Sequence, residues 1–157
     1  MALIGILTEP KNKLYLQEEL KKRQLEEVFF LTENTILNMH NVRFDIFLLG
    51  KKISKNQELV RTLAKGADYF IFNSDIKENL PLLEDLDLKI ITYGYNQKAT
   101  ITASSVDENK MMICLQRSIE NIKQKKIEPQ EIEIEVTDKM QGVAGMELVG
   151  LQLLYSS

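Results

Sequence analysis

The stretch "ITYGYNQKATITASSVDENKMMICLQR", residues 91–117, decides the fold because two different strand patterns meet inside it. Its first residues continue an unbroken apolar run, which is typical of a buried strand in a parallel sheet. After Asn96, two strand-like segments at residues 99–106 and 111–119 are joined by a four-residue polar link, which indicates a β-hairpin. The turn at residues 93–96 is therefore predicted to be where a parallel sheet gives way to an antiparallel one.

Five apolar runs make up the chain before and into this turn, and helical patterns separate most of them. The predicted strands lie at residues 2–7, 28–31, 44–50, 68–73 and 88–94. The predicted helices, with their caps, lie at residues 13–27, 54–66 and 75–86. Strands that are apolar throughout pair in parallel beneath helices on both faces. The pattern predicts an α/β fold, a Rossmann-like three-layer αβα sandwich with about five parallel strands, followed by a C-terminal antiparallel β-hairpin extension.

Local patterns also predict how the two later helices begin and end. Ser54 with Gln57 three residues on has the spacing of a capping box, in which side chains satisfy free backbone donors. Gly66 is predicted to end that helix in a left-handed conformation. Asp75 is predicted to be the N-cap of the next helix, because short polar side chains accept hydrogen bonds from the first helical turn.

The C-terminal third has a different character. Residues 131–136 alternate strictly between glutamate and aliphatic side chains, which predicts a half-exposed antiparallel strand. Residues 141–155 have helical apolar spacing and predict a helix, with a strand as the alternative because three glycines weaken a helix. We predict one domain over residues 1–157, with a parallel part at 1–97 and the antiparallel hairpin, third strand and final helix at 98–157.

Composition narrows the class of protein. The chain has 157 residues and a net charge of −3, whereas a nucleic-acid-binding surface usually carries a basic excess. The single Cys114 cannot form an internal disulfide, and its place in a strand pattern indicates a packed thiol. The sequence shows neither a secretory h-region nor an apolar stretch long enough to cross a bilayer. We expect a soluble cytoplasmic protein with no nucleic-acid or membrane partner.

The usual phosphate-binding equipment is missing from the first strand-to-helix turn. That turn, "LTEPKNKLY" at residues 7–15, matches neither G-x-x-x-x-G-K-[ST] nor G-x-G-x-x-G, and Glu9 would repel a pyrophosphate. No G-x-S-x-G nucleophile motif is present, and His40 has no ligand-spaced Cys or carboxylate neighbours. The glutamates of residues 131–135 are better explained as the wet side of a strand than as a metal face. We therefore predict no catalytic residue, cofactor or metal.

One longer stretch resembles a known family. "DYFIFNSDIKENLPLLEDLDLKIITYGYNQKATI", residues 68–101, is similar to the central domain of the Mur ligases, the ATP-dependent amino-acid ligases of peptidoglycan synthesis. In that family a strand ends in an N-x-D motif, and a later T-[YF]-G-x-N-like turn precedes antiparallel strands. The residues that match these two motifs are Asn73, Ser74, Asp75, Thr92, Tyr93, Gly94 and Asn96.

The resemblance extends from Phe44 to the C-terminus and carries an implication for binding. In the family, the Asn and Asp of the N-x-D turn lie on the adenine and ribose side of an ATP site, which nominates Asn73 and Asp75. The family's phosphate loop and its downstream His, Asp and Lys machinery are absent from this sequence. Phosphoryl transfer depends on those charges being positioned. The resemblance thus implies a non-catalytic Mur-ligase-like domain with a binding, regulatory or assembly role in a bacterial cytoplasm.

Two other functions remain open. The first is a nucleotide or small-metabolite binding protein that uses the crevice at the carboxyl ends of the parallel strands, where open α/β sheets place ligands. Its candidate lining residues are Thr8, Glu9, Lys51, Asn73, Asp75 and Tyr93. The second is a protein partner or a homo-oligomer, formed through the apolar face of the hairpin region and the C-terminal tail.

Overall fold

The structure, a computed structural model, describes residues 2–25, 27–86, 89–107, 109–135 and 139–155. In chain order its elements are β1 (Ile4–Thr8), α1 (Pro10–Lys22), β2 (Val28–Phe30), β3 (Ile46–Gly50), α2 (Gln57–Gly66), β4 (Tyr69–Asn73), β5 (Lys89–Tyr93), β6 (Ile101–Asp107), β7 (Lys110–Leu115), β8 (Ile119–Glu120), β9 (Lys126–Ile127), β10 (Gln130–Glu135) and α3 (Lys139–Tyr155). Two 3-10 helices lie at Thr35–Asn38 and Lys77–Leu83. Within the described ranges, no helix has both the length and the apolar character needed to cross a bilayer.

Eight of the strands form one mixed sheet, which is mostly parallel. Its strand order is β10-β7-β6-β5-β4-β3-β1-β2, and β8 pairs with β9 in a separate small sheet. The first five strands pair in parallel, for example at Ile6 with Leu48 in β1 and β3. The predicted parallel pairing is therefore confirmed. Every residue of β1, β3 and β4 is buried, as expected for parallel strands that are covered on both faces of the sheet.

The change of strand direction occurs at the predicted turn. β6 pairs in parallel with β5 only at Tyr93 and Ile101, and the Gly94 amide donates to the Ile101 carbonyl at 3.1 Å. β6 then pairs with β7, and β7 with β10, in antiparallel fashion. Asp107 and Lys110, the outer residues of the predicted four-residue link, pair with each other as strand residues, and Glu108 of that link lies outside the described residues. The antiparallel strands β6, β7 and β10 therefore join the parallel sheet at the carboxyl end of β5 and extend beyond it.

Two apolar clusters lie on opposite faces of the sheet, because alternate strand residues point to opposite sides. The first, here called the α3-side cluster, receives residues of α1 and α3 and has these buried members: Ile4, Ile6, Leu16, Leu20, Ile46, Leu48, Tyr69, Ile71, Ile91, Tyr93, Ile101, Met111, Ile113, Leu115, Met146, Leu148, Val149, Leu151, Leu153 and Leu154. The second, the α2-side cluster, receives α2 and both 3-10 helices. Its stacked rings of Phe44, Phe47 and Phe70 lie 6.2 and 5.7 Å apart in sequence order.

The C-terminal segment is a helix, which confirms the helical prediction over the strand alternative. Over residues 142–155 of α3 the residues are buried or half-buried, as expected for a helix whose sequence is apolar nearly all round. It runs antiparallel to the parallel strands: Gly142 lies beside Met111 and Tyr95. At the other end of α3, the Tyr155 hydroxyl donates to the Ala2 carbonyl at 3.0 Å. This direction carries the middle of α3 across the carboxyl ends of β1 and β3.

The predicted caps of α2 are wrong. The N-cap is Asn56, which has a φ of 61°, and the Gln57 side chain donates to the Ile53 carbonyl rather than closing a capping box. The Ser54 amide donates to Glu33 Oε1 at 3.2 Å, so a distant carboxylate satisfies that donor. Gly66 is the last helical residue and is not left-handed. Asparagine tolerates positive φ, which moves the start of the helix past Ser54.

Two further helix boundaries differ from the predictions. α1 begins at Pro10, three residues before the predicted start, because proline is well suited to the first helical position. It ends at Lys22, before Gln24, which has a φ of 59°. The helix predicted to follow Asp75 is a 3-10 helix whose N-cap is Ile76. Asp75 is therefore not its cap, and its carboxylate is used elsewhere.

Candidate functional site

The region beyond the carboxyl ends of β1 and β3 is where a sheet of this kind is expected to bind ligands. β1 and β3 are neighbours, while α1 and α2, the helices that follow them, contribute to opposite apolar clusters. In open α/β sheets such a reversal opens a crevice, the topological switch point, beyond the strand ends. Thr8 is the last residue of β1 and Gly50 the last of β3.

Glu147 of α3 occupies the α3 side of this point. Its Oε2 accepts hydrogen bonds from the Thr8 hydroxyl at 2.8 Å and from the Tyr93 hydroxyl at 2.5 Å. Glu147 and Tyr93 are both 0% exposed, and Thr8 is 8% exposed. A β-carbon on Gly50 would lie 2.8 Å from Thr8 Oγ1 and closer still to the other two side chains. The side chains of three elements therefore fill the space against the Gly50 backbone.

The electrostatics of Glu147 are those of a carboxyl removed from water. Burial raises its pKa from 4.5 to about 7, the donated hydrogen bonds from Tyr93 and Thr8 oppose that rise, and the charge of Glu9 adds to it. Its second oxygen, Oε1, has no hydrogen-bond partner among the described residues. Burial, followed by the charge of Glu147, raises the pKa of Tyr93 well above its ordinary value. With a pKa of about 7, the Glu147 carboxyl therefore gains or loses its proton close to neutral pH.

Five of the six predicted site residues fall into two groups, and Lys51 belongs to neither. Thr8 and Tyr93 are brought together by Glu147, and Glu9, half-buried at the start of α1, acts on that carboxyl through its charge. Lys51 follows β3 and is half-buried, and its backbone carbonyl accepts from the Asn79 side chain at 2.8 Å. Asn73 and Asp75 belong to a separate hydrogen-bonded turn.

Asp75 holds the turn where the parallel sheet changes to the antiparallel one. Its Oδ2 accepts from the Tyr95 amide at 2.6 Å. Its Oδ1 accepts from the Asn96 amide at 3.2 Å and from the Asn96 side chain at 2.6 Å. Gly94 has a φ of 154°, and a β-carbon there would lie 2.6 Å from Asp75 Cγ. The Asp75 carboxylate therefore lies directly against the turn backbone and accepts hydrogen bonds from the Tyr95 and Asn96 N–H groups.

The N-x-D motif residues complete this turn. Asn73 is 7% exposed, and its Oδ1 accepts from the Asp75 amide at 3.0 Å. The Asn96 side chain also donates to Ser74 Oγ at 2.8 Å, and the Ser74 amide donates to the Tyr93 carbonyl at 2.9 Å. The two motifs on which the Mur resemblance is based therefore bind each other, and this is a structural use of their polar groups.

Sequence reasoning missed Glu147, although a signal was present. Glu147 is the one charged residue in the sequence between residues 140 and 155, in a run that otherwise has the composition of a buried helix. An isolated carboxyl on such a helix must be buried or must interrupt an apolar face, and buried ionisable groups are frequent at functional sites.

The other candidate side chains have ordinary surroundings. His40 is exposed, and Cys114 is a half-buried free thiol. In the part of the chain that the structure describes, no three His, Cys, Asp or Glu side chains come together as metal ligands would. No protein-family model matches the chain, and no curated protein matches it. Function is therefore inferred from the two hydrogen-bonded groups around Glu147 and Asp75.

Proposed function

We propose that this chain is a non-catalytic Mur-ligase-like domain with a binding, regulatory or assembly role in a bacterial cytoplasm. The observation that carries the proposal is the Glu147 carboxyl at the topological switch point. A nucleotide phosphate placed there would meet the carboxyls of Glu147 and Glu9, whereas phosphate sites in such folds use backbone amides and cations. The proposal is therefore supported by two carboxyls near this strand end and by the side chains that fill the space against Gly50.

The Mur-like part of the proposal is supported by the two turns that carry the resemblance. Asn73 and Asp75 lie beside Gly94 and Asn96, so the motifs are neighbours in space as well as in sequence. We propose in the same way that the fold is a Rossmann-like three-layer αβα sandwich. Its support is the presence of one apolar cluster, with its own helices, on each face of the sheet.

Activity and nucleotide binding by the full chain test this proposal. We expect no ATP hydrolysis and no amino-acid ligation in the presence of Mg²⁺, and no thermal shift with ATP, ADP or UDP-sugars. The melting temperatures of the wild type and of Asn73→Ala with ligand are each compared with that protein's own ligand-free value, so that a change in stability is not mistaken for a change in binding. ATP turnover by the wild type, or a saturable nucleotide shift that Asn73→Ala removes, would contradict the proposal.

A second candidate is a small-metabolite binding protein whose ligand would have to open the packing around Glu147 and reach Oε1, which is buried and accepts no hydrogen bond from the described residues. A ligand with an amine would supply the missing hydrogen-bond donor, whereas a phosphate would be repelled. Binding would lower the pKa of Glu147 and release a proton near pH 7. Calorimetry with free amino acids, polyamines and inorganic phosphate, in buffers of different ionisation enthalpy, measures that release, and heat from phosphate alone would count against this candidate.

A further inference from the structure

The outer edge of β10 is an open strand edge with an unusual combination of properties. In the described part of the chain, β10 is the last strand of the sheet and pairs with β7 alone. Its six residues pair with β7 without a register shift. An edge strand exposes a row of backbone N–H and C=O groups that can pair with another strand. The opposite edge, β2, has only three residues and offers much less backbone.

The features that usually protect an edge from pairing are few in β10. Residues 130–135 contain neither proline nor glycine, and their register with β7 is regular. What they do contain is charge of one sign, at Glu131, Glu133 and Glu135, all exposed on one face. Glu133 is 3.4 Å from Lys110 Nζ, an exposed pair that contributes little. The backbone of β10 therefore pairs with β7 on one side only, and its exposed glutamates favour a partner strand with basic side chains.

The other face of β10 is apolar and incompletely covered. Ile132 and Ile134 are half-buried and pack against the α3-side cluster. A strand added beside β10 would place its own side chains next to these two isoleucines on one face and next to the glutamates on the other, because strand side chains alternate. Aliphatic residues would extend the cluster, and basic residues would pair with the glutamates.

We propose that the outer edge of β10 is a docking site for an extended segment of a partner protein that alternates basic and aliphatic side chains. This inference rests on the proposed binding role and names the class of partner. The segment adds a further strand to the sheet: main-chain hydrogen bonds attach it, and the glutamates select its charge.

A second copy of this chain does not fit the same edge. Two β10 strands pair antiparallel only around a two-fold axis normal to the sheet, and that axis keeps each glutamate face on the same side. Glu131, Glu133 and Glu135 of the two copies would then stand opposite one another, and like charges directly opposite are destabilising. Charge complementarity therefore favours a basic partner over self-association.

The test uses the full chain and a short labelled peptide that alternates lysine and valine, with a scrambled peptide of the same composition as its control. We expect the alternating peptide to bind about tenfold more tightly than the scrambled one, and less tightly at high salt. The double variant Glu131→Lys/Glu135→Lys should lose this binding and prefer a peptide that alternates glutamate and valine. The matched control Glu18→Lys/Glu58→Lys changes the net charge equally on exposed residues of α1 and α2 and should bind as the wild type does.

Amide hydrogen exchange of residues 130–135 identifies the bound edge, because only pairing along β10 slows exchange of its outward amides. Equal binding of both peptides, equal loss in the control variant, no binding, or no protection in β10 would each overturn the docking site. Self-association abolished by Glu131→Lys/Glu135→Lys would overturn it in favour of a second copy. ATP turnover would refute the proposed function instead, so the two failures are distinguishable.

Discussion

The hydroxyl of Tyr93, at the end of β5, donates a hydrogen bond of 2.5 Å to Glu147 Oε2, 54 residues further along the chain in α3. Both side chains are fully buried, and Thr8 donates to the same oxygen from the end of β1. One carboxyl oxygen therefore ties α3 to two strands of the sheet, while the other oxygen gains no hydrogen bond from the described residues. The protonation state of this carboxyl is thus coupled to the packing of the helix.

The first prediction concerns stability and pH. Burial raises the pKa of Glu147 from 4.5 to about 7, so between these values the folded protein holds a proton that the unfolded chain releases. The contribution of Glu147 to the free energy of unfolding is therefore full below pH 4.5. It falls by roughly 3 kcal/mol as the pH rises through about 7. Glu147→Gln keeps an acceptor but cannot ionise. Urea unfolding across this pH range should show the variant gaining stability relative to the wild type, and parallel profiles would refute the assignment.

The second prediction separates the hydrogen bond of Tyr93 from its bulk. Tyr93→Phe removes a donor that opposes the rise in the pKa of Glu147, so that pKa should move further up. Losing a buried hydrogen bond to an ionisable group should also cost about 1.5–3 kcal/mol of unfolding free energy at neutral pH. Carbon NMR of the Glu147 carboxyl measures the pKa directly. A downward or absent shift would show that the hydroxyl does not act on this carboxyl.

A pair of glycine substitutions tests the turn at the end of β5. Gly94→Ala places a β-carbon 2.6 Å from Asp75 Cγ at a φ of 154°, and should destabilise the protein by about 1–3 kcal/mol. Gly66→Ala is the matched control, because a β-carbon there meets nothing within 4 Å at the end of α2. It should stabilise the protein by about 0.5 kcal/mol. Chemical denaturation of both variants compares them, and equal effects would contradict the strained geometry at Gly94.

The fourth prediction assigns Asp75 a structural role. Asp75→Asn replaces an acceptor oxygen with a donor facing the amides of Tyr95 and Asn96, and should cost about 1–2 kcal/mol of unfolding free energy. Glu78→Gln, an exposed carboxyl in the following 3-10 helix, is the control and should change stability very little. If Asp75→Asn left the melting temperature unchanged and instead altered binding of a nucleotide, Asp75 would be a ligand contact rather than a turn residue.

Much of the fold follows from sequence patterns whose physical cause is local. Unbroken apolar runs can be satisfied only between two covered faces, which is why the parallel pairing of β1, β3 and β4 was predictable. The alternation in residues 131–136 likewise predicts one wet face and one packed face, which the structure has over residues 131–135, while Val136 lies outside the described residues. The turn at 93–96 was visible because the side-chain pattern changes there.

The features that sequence reasoning missed depend on partners distant in the chain. The hydrogen bond between Thr8 and Glu147 joins residues 139 positions apart, and no local pattern specifies which strand end faces a helix. Ser54 and Asp75 have the composition of caps, yet Glu33 satisfies the Ser54 amide and Asp75 accepts from the turn after β5. A short polar side chain marks a place that needs hydrogen bonds, but tertiary packing decides which group makes them.

The position of α3 in the chain has a consequence for synthesis. All strands of the sheet precede residues 139–155, and a ribosome adds about 5–20 residues per second. Until α3 has been made, the strand residues that it covers, such as Ile101 and Ile113, lack the helix that packs against them. A nascent chain that stops before residue 139 should therefore bind holdase chaperones, and the addition of one helix should release it.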